Sequence, residues 1–472
     1  MTNNKLSKQP IFLFFTNTLS KNNRNFLLIF ALLFTLFLIA FINITSIISF
    51  ILFLLISIIL YRFIFDKNIK KIAGLFIFYS LVAIILFLLQ YATFPEYKGF
   101  SGGLGIGTDD ARFFAAAVGL TPIKIPLVYN LTYNPYSKIL RVIVQILPFK
   151  NIHLLDLLFF NVFGIAFIPI FTSKVAYILT KEKNIADLSY KFSMICPFIM
   201  SNGLILVRDG WTAVLFIGSI YFLLSKRYIP LIALSTLLFY LRISSGIQLI
   251  VALLLFFYYQ FHNYRSDYVK KALLFLITMI IILAISSALF PVVKQYAELE
   301  GITNNIFFRK DFVESFMARG IETSGKSSIF YSISTQPFYL RIPLGFIFFL
   351  CAPFLSIKNL TNFGIYIPRQ FLAQSFSILF LFYFKYLTQS VMYIWKNKDF
   401  AMRIVAVVFF IILLSTSQMS LQFRHKTIIM PLFYILVAYG FYHKTKSSNF
   451  IGTIGVVSLF FIQLIVNIFY LS

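Results

Sequence analysis

Apolar runs of roughly 17 to 25 residues recur from Phe26 to Leu471, and this is the length an α-helix needs to cross hydrocarbon. A chain patterned this way cannot have water as its main solvent. It is 60% hydrophobic and 12% charged, and the runs leave no stretch long enough for a separate soluble domain. Residues 1–472 therefore read as one all-α polytopic integral membrane domain with about thirteen spans.

The net charge of +26 does not indicate a nucleic-acid partner. Its Lys and Arg residues lie in short clusters between apolar runs, where the positive-inside rule places them. The basic N-terminus, with no short apolar core followed by a small-residue cleavage site, is expected to be retained and cytoplasmic. Phe26 to Ile64 is twice the length of one span, with Asn43 and Thr45 marking a hairpin turn. A third span, Ile72 to about Thr93, leads to a first long external segment, residues 94–150.

Further spans are expected at Leu154–Leu179, Ala186–Val207, Trp211–Leu224, Tyr228–Leu241, Ser245–Phe261, Ala272–Val292 and Phe338–Ile357. Lys181, Lys183, Lys226, Arg227, Arg265, Lys270, Lys271 and Lys358 then fall on cytoplasmic turns. A second long external loop, residues 294–337, carries five basic and five acidic side chains and is neutral. Phe363 to Trp395 is apolar yet holds Arg369 and Lys385, and a helix lying in the interface would reconcile the two. Spans at Ala401–Met419, Ile428–Tyr442 and Phe450–Leu471 complete the count.

The chain has 15 acidic residues, and a carboxylate near hydrocarbon is costly enough to be kept for a purpose. Gly102 to Phe114 places flexible glycines before Asp109, Asp110 and Arg112, at the start of a short external helix. There the carboxylates could take a proton from a hydroxyl nucleophile while Arg112 holds an anion; helix capping and lipid phosphate are the structural alternative. Arg208, Asp209 and Arg242 lie at external span borders, as anion ligands or as interfacial anchors beside Trp211. Arg424, His425 and Lys426 form a cationic group on an external turn, where the charge rule does not expect one. That suits either an anionic ligand or phospholipid head groups.

Cys196 and Cys351 lie inside apolar runs and read as packing residues. No metal, nucleotide or nucleophile-elbow motif is present, and the four histidines are scattered, so no metal or cofactor is expected. Ser324 to Ser327 imitates the end of a phosphate loop without its strand or first glycine.

Three features resemble the bacterial O-antigen and exopolysaccharide repeat-unit polymerases, and more distantly the polytopic glycosyltransferases that use polyprenyl-linked sugars. One is Val207-Arg208-Asp209-Gly210 followed by Leu241-Arg242. Another is the long external loop leading into Arg341-Ile342-Pro343 and Pro353-Phe354. The last is Arg424-His425-Lys426 ahead of Pro431. In the glycosyltransferases the acidic pair follows the first span, whereas Asp109-Asp110 follows the third. The resemblance implies a multi-pass protein of the bacterial inner membrane that joins undecaprenyl-diphosphate-linked oligosaccharide repeat units on the periplasmic face. A chain-length regulator, a flippase and membrane lipids would be its partners. Arg242, Arg424 and Arg208 would hold the donor diphosphate, and Asp109 or Asp110 would activate the acceptor hydroxyl. A flippase for the same lipid-linked sugars, a single-sugar transferase and a polysaccharide ligase are the competing readings.

Overall fold

In a computed structural model the chain is described over residues 21–65, 69–100, 109–119, 135–149, 151–263, 332–333, 336–351, 368–419 and 423–466. The described residues are almost entirely helical and include no strand, as expected where backbone polar groups must be satisfied without water. Seven of the described helices are long and apolar enough to cross a membrane. The expected span at Ala272–Val292, the loop from 294 to 331 and Ser324 to Ser327 lie outside the described residues.

The opening hairpin is as expected. Helices α1 (Lys21–Ile42) and α2 (Ser46–Phe65) are joined at Asn43, whose Oδ1 accepts from the Thr45 hydroxyl at 2.9 Å. Helix α3 (Lys70–Thr93) follows the third expected span. Two expected spans carry a break in the helix, and the first of them, residues 154–180, is still long and apolar enough as a whole to cross a membrane. Residues 154–180 divide into α6 (Leu154–Ala166) and α7 (Ile168–Thr180), because Pro169 cannot donate the hydrogen bond a continuous helix needs. Residues 183–203 divide into α8 (Lys183–Met194) and α9 (Pro197–Gly203) at Pro197.

The chain then turns at Leu204–Arg208 into α10 (Asp209–Leu224), α11 (Tyr228–Leu241) and α12 (Ile243–Asn263). The segment 94–150 contributes α4 (Asp109–Val118) and α5 (Pro135–Ile146), which pack on each other. After α13 (Phe338–Cys351) come α14 (Pro368–Asn397), α15 (Phe400–Met419), a 3-10 turn (Phe423–Ile429), α16 (Met430–Tyr442) and α17 (Lys446–Val466).

Helix α14 does not lie apart from the bundle as an interfacial helix would. Its 30 residues span about 45 Å at 1.5 Å per residue. It runs alongside α16, with Phe380 on Phe433, Tyr383 on Tyr434 and Tyr393 on Tyr439. A Cβ at Gly440 would strike the backbone of Tyr386 and Ser390, so only a glycine permits this approach. Buried Phe376, Phe380, Tyr383, Leu387 and Ile394 form its inner face. Lys385 lies mid-helix and half-buried, and Lys396 closes the helix.

The bundle has two chemically distinct ends. At one, Arg227 Nη1 donates to Ile64 O at 2.6 Å, His443 meets Glu182 at 3.0 Å, and Arg403 donates to Trp395 O at 3.0 Å. These contacts gather the basic turns around Arg62, Lys181, Lys226, Lys396 and Lys444. Lys181, Lys226 and Lys398 there adopt the left-handed conformation (φ 59°, 59° and 56°). The opposite end holds α4, the 204–208 turn, the α11–α12 junction and the 3-10 turn. The C-terminal carbonyls of α13 also reach that end, since Leu350 O accepts from Lys426, rather than the end where Lys358 is expected from the charge pattern.

Candidate functional site

At this second end, stretches far apart in sequence converge. Asp209 opens α10, where the helix dipole favours a carboxylate, and its Oδ1 accepts from Arg242 Nη1 at 3.1 Å. Arg242 terminates α11 in extended conformation. Arg208 Nη1 donates to Leu241 O at 3.3 Å, which also satisfies a carbonyl at the α11 end. Above this pair Arg424 Nη1 donates to Asp109 Oδ2, across 315 positions of sequence. The side chains of Asp109 and Arg424 are 36% and 29% exposed, against 6% and 17% for Asp209 and Arg242. One ion pair therefore forms the mouth of the site and the other its floor.

The groups act on one another electrostatically. Burial raises the Asp109 carboxyl, but Arg424, then Arg208 and Arg112, outweigh it and hold it below its usual value. Burial lowers Arg242 to about 10, opposed by Asp209, so it stays cationic at neutral pH. Burial and the neighbouring Arg242, Arg424 and Arg208 push His425 well below the ordinary imidazole value. His425 is 8% exposed and its Nδ1 has no hydrogen-bond partner. It is a neutral ring among guanidiniums.

Six of the nine residues singled out from sequence, together with Arg112 through its field at Asp109, thus belong to one cluster. Two do not. Asp110 is buried and turned away, its Oδ1 accepting from Ala111 N at 3.0 Å. It lines a small cavity with Gln90, Gly99 and Leu204–Leu206. Lys426 is fully buried, its Nζ donating to Leu350 O at 2.9 Å and lying 4.5 Å from the Phe380 ring centre. Its role is to hold α13 against the 3-10 turn. The segregation is geometric: in a 3-10 turn at about three residues per turn, neighbours cannot all face the same way.

The supports of the site were not singled out in the sequence. Asn161, on α6, accepts from Tyr136 Oη and, at 3.2 Å, from Trp211 Nε1. Its amide donates to Ile205 O and, at 3.1 Å, to Val207 O. One buried side chain therefore holds the turn that presents Arg208 and Asp209. Trp211 stacks on Phe160 at 4.5 Å over Gly164. A Cβ at Gly210 would lie 3.2 Å from the Gly203 backbone, so glycines let α9 fold back onto α10. The available signal was a pair of polar residues, Asp156 and Asn161, inside an otherwise apolar run. Asp156 closes a capping box with His153 and accepts from Ser49 at 2.8 Å.

Among the described residues no group of three or more His, Cys, Asp or Glu side chains could hold a metal ion. The donor set is suited to an anion and to proton transfer at a carboxylate. No family model, curated protein or solved structure matches this chain.

Proposed function

We propose that the protein polymerises polyprenyl-diphosphate-linked oligosaccharide repeat units on the outer face of a bacterial inner membrane, with its N-terminus and basic end in the cytoplasm. The observation that carries the reading is the convergence of Asp109, Arg208, Asp209, Arg242 and Arg424 at the end of the bundle opposite the basic turns. Cations at a membrane border suit the diphosphate of a lipid whose tail stays in hydrocarbon. Four guanidiniums, Arg112, Arg208, Arg242 and Arg424, face two carboxylates, Asp109 and Asp209. The remaining double positive charge matches a diphosphate diester.

In this reading a hydroxyl of the acceptor repeat unit attacks the anomeric carbon of the donor glycan. The bond from that carbon to the diphosphate oxygen breaks, and the lipid diphosphate leaves with the electron pair. The hydroxyl proton passes to the Asp109 carboxylate. The guanidiniums stabilise charge developing on the leaving group. No nucleotide takes part, because the diphosphate already activates the sugar.

The test is the surface polysaccharide of the host after gene deletion, resolved on a gel, with Asp109→Asn and Arg424→Ala supplied back at matched expression. Collapse of a long ladder to one capped repeat unit supports the polymerase. Loss of even the single unit places the protein earlier, as a flippase or sugar transferase, and rejects it.

A further inference from the structure

The two guanidiniums best placed to take a diphosphate are both engaged. Arg424 is bound to Asp109 and Arg242 to Asp209. The His425 Nδ1, buried among them, has no hydrogen-bond partner among the described residues. In each pair one guanidinium nitrogen, Nη1, is turned toward a carboxylate, so a phosphate gripping through that nitrogen competes with the carboxylate for it. In the ligand-free arrangement each carboxylate is therefore a competitor of the anion for one guanidinium nitrogen.

We propose that the Asp109–Arg424 pair is a latch that the donor diphosphate must open, so that the donor binds before the acceptor and its binding frees the carboxylate that receives the proton. The inference rests on the polymerase reading for the identity of the donor, and on geometry alone for the competition. Its mechanical basis is the difference between the two pairs. Asp209 is nearly enclosed and helix-bound at the floor, whereas Asp109 is more than a third exposed at the mouth. An anion entering from outside meets Arg424 first. Release of Asp109 removes its chief stabilising cation, so its affinity for a proton rises at the moment that the leaving group is in place. A hydroxyl arriving before the donor would meet a carboxylate already committed to Arg424.

The order has a functional consequence. An acceptor positioned without a donor cannot be deprotonated, and a donor bound without an acceptor leaves only a water-exposed carboxylate beside a neutral imidazole. Loss of growing chains to hydrolysis then depends on whether water reaches the anomeric carbon.

Inorganic pyrophosphate is the probe, titrated calorimetrically into the full-length detergent-purified protein. If Asp109 competes for Arg424, Asp109→Asn tightens pyrophosphate binding about five- to tenfold, and Arg424→Gln weakens it at least tenfold. In the Arg424→Gln background, adding Asp109→Asn then gives no gain. Asp109→Ser serves as a second variant if Asp109→Asn is poorly folded. A gain that persists without Arg424 is bulk electrostatics and overturns the latch; so does unchanged or weaker binding in Asp109→Asn, or no binding by any form. These outcomes are separable from the polysaccharide gel. A collapsed ladder with no latch behaviour keeps the polymerase and rejects the ordering, whereas latch behaviour with a normal ladder keeps only the competition between Asp109 and the anion and rejects the polymerase.

Discussion

Asn161→Ala is the perturbation that best tests how the site is built. The substitution leaves Tyr136 Oη, Trp211 Nε1 and Val207 O without the partner they have now; Ile205 O keeps a bond from Val207 N at 2.8 Å. Each buried group so stranded costs about 1–3 kcal/mol in water-soluble proteins. Hydrogen bonds between membrane helices average nearer ~0.6 kcal/mol, because the unfolded chain in detergent or lipid finds other partners. Three groups give a destabilisation of roughly 2–4 kcal/mol, well above the ~1 kcal/mol expected of Tyr136→Phe, which removes one bond.

Reversible unfolding by SDS in mixed micelles measures the difference, and tryptophan emission supplies a local probe. The chain has two tryptophans, and Trp395 is 54% exposed. A Trp395→Phe background isolates Trp211, whose emission should move to the red when Asn161 is lost. Because Asn161 holds the carbonyls that shape the 204–208 turn, the folded variant should also bind pyrophosphate several-fold more weakly. An Asn161→Ala protein with stability unchanged within about 0.5 kcal/mol and unshifted Trp211 emission would refute the view that one amide organises this end of the bundle.

Gly440→Ala drives a methyl into the Tyr386 and Ser390 backbone and should cost upwards of about 1–3 kcal/mol, visible as a lowered unfolding midpoint. Burial lowers Lys426 to about 7, so between pH 7 and its unfolded value near 10.5 the unfolded chain binds more protons and stability rises with pH. Melting temperatures from pH 6 to 9 should show that rise in the wild type and a flatter profile in Lys426→Met. Lys226→Gly relieves a left-handed lysine and should stabilise the purified protein by up to about 1 kcal/mol.

The spans were legible because their signal is length and polarity, and α1, α2 and α3 fall within a few residues of where the runs place them. The breaks at Phe167 and Ile195–Cys196 were legible only in principle. Proline follows each, but a proline inside an apolar run also occurs in kinked continuous helices. The misjudged element was α14, where Arg369 and Lys385 outweighed length. Its 30 residues pack along the bundle, with Lys385 half-buried at mid-helix, so a single charge within an apolar run did not decide where the helix lies. Asp109, Arg208, Asp209, Arg242 and Arg424 were individually legible as costly charges at span borders. Their pairing was not, since Asp109 and Arg424 are 315 residues apart and only the path of the bundle brings them together.

The sorting of charge along the bundle axis follows from the same physics that sets the site. Basic turns can be numerous at one end because each lysine there needs only water or a helix C-terminus, and three of them close helices in left-handed conformation. At the other end four cations of the cluster each have a partner within the protein: Arg208 on Leu241 O, Arg242 on Asp209, Arg424 on Asp109 and Lys426 on Leu350 O. Anchors to lipid head groups have no reason to be matched one by one with carboxylates and carbonyls inside the protein. A binding site does, because an unoccupied cluster of cations would repel itself apart at this low dielectric. In the proposed site, matched pairs would keep the cluster assembled until an anion of greater charge displaced them, beginning at the partly exposed Asp109.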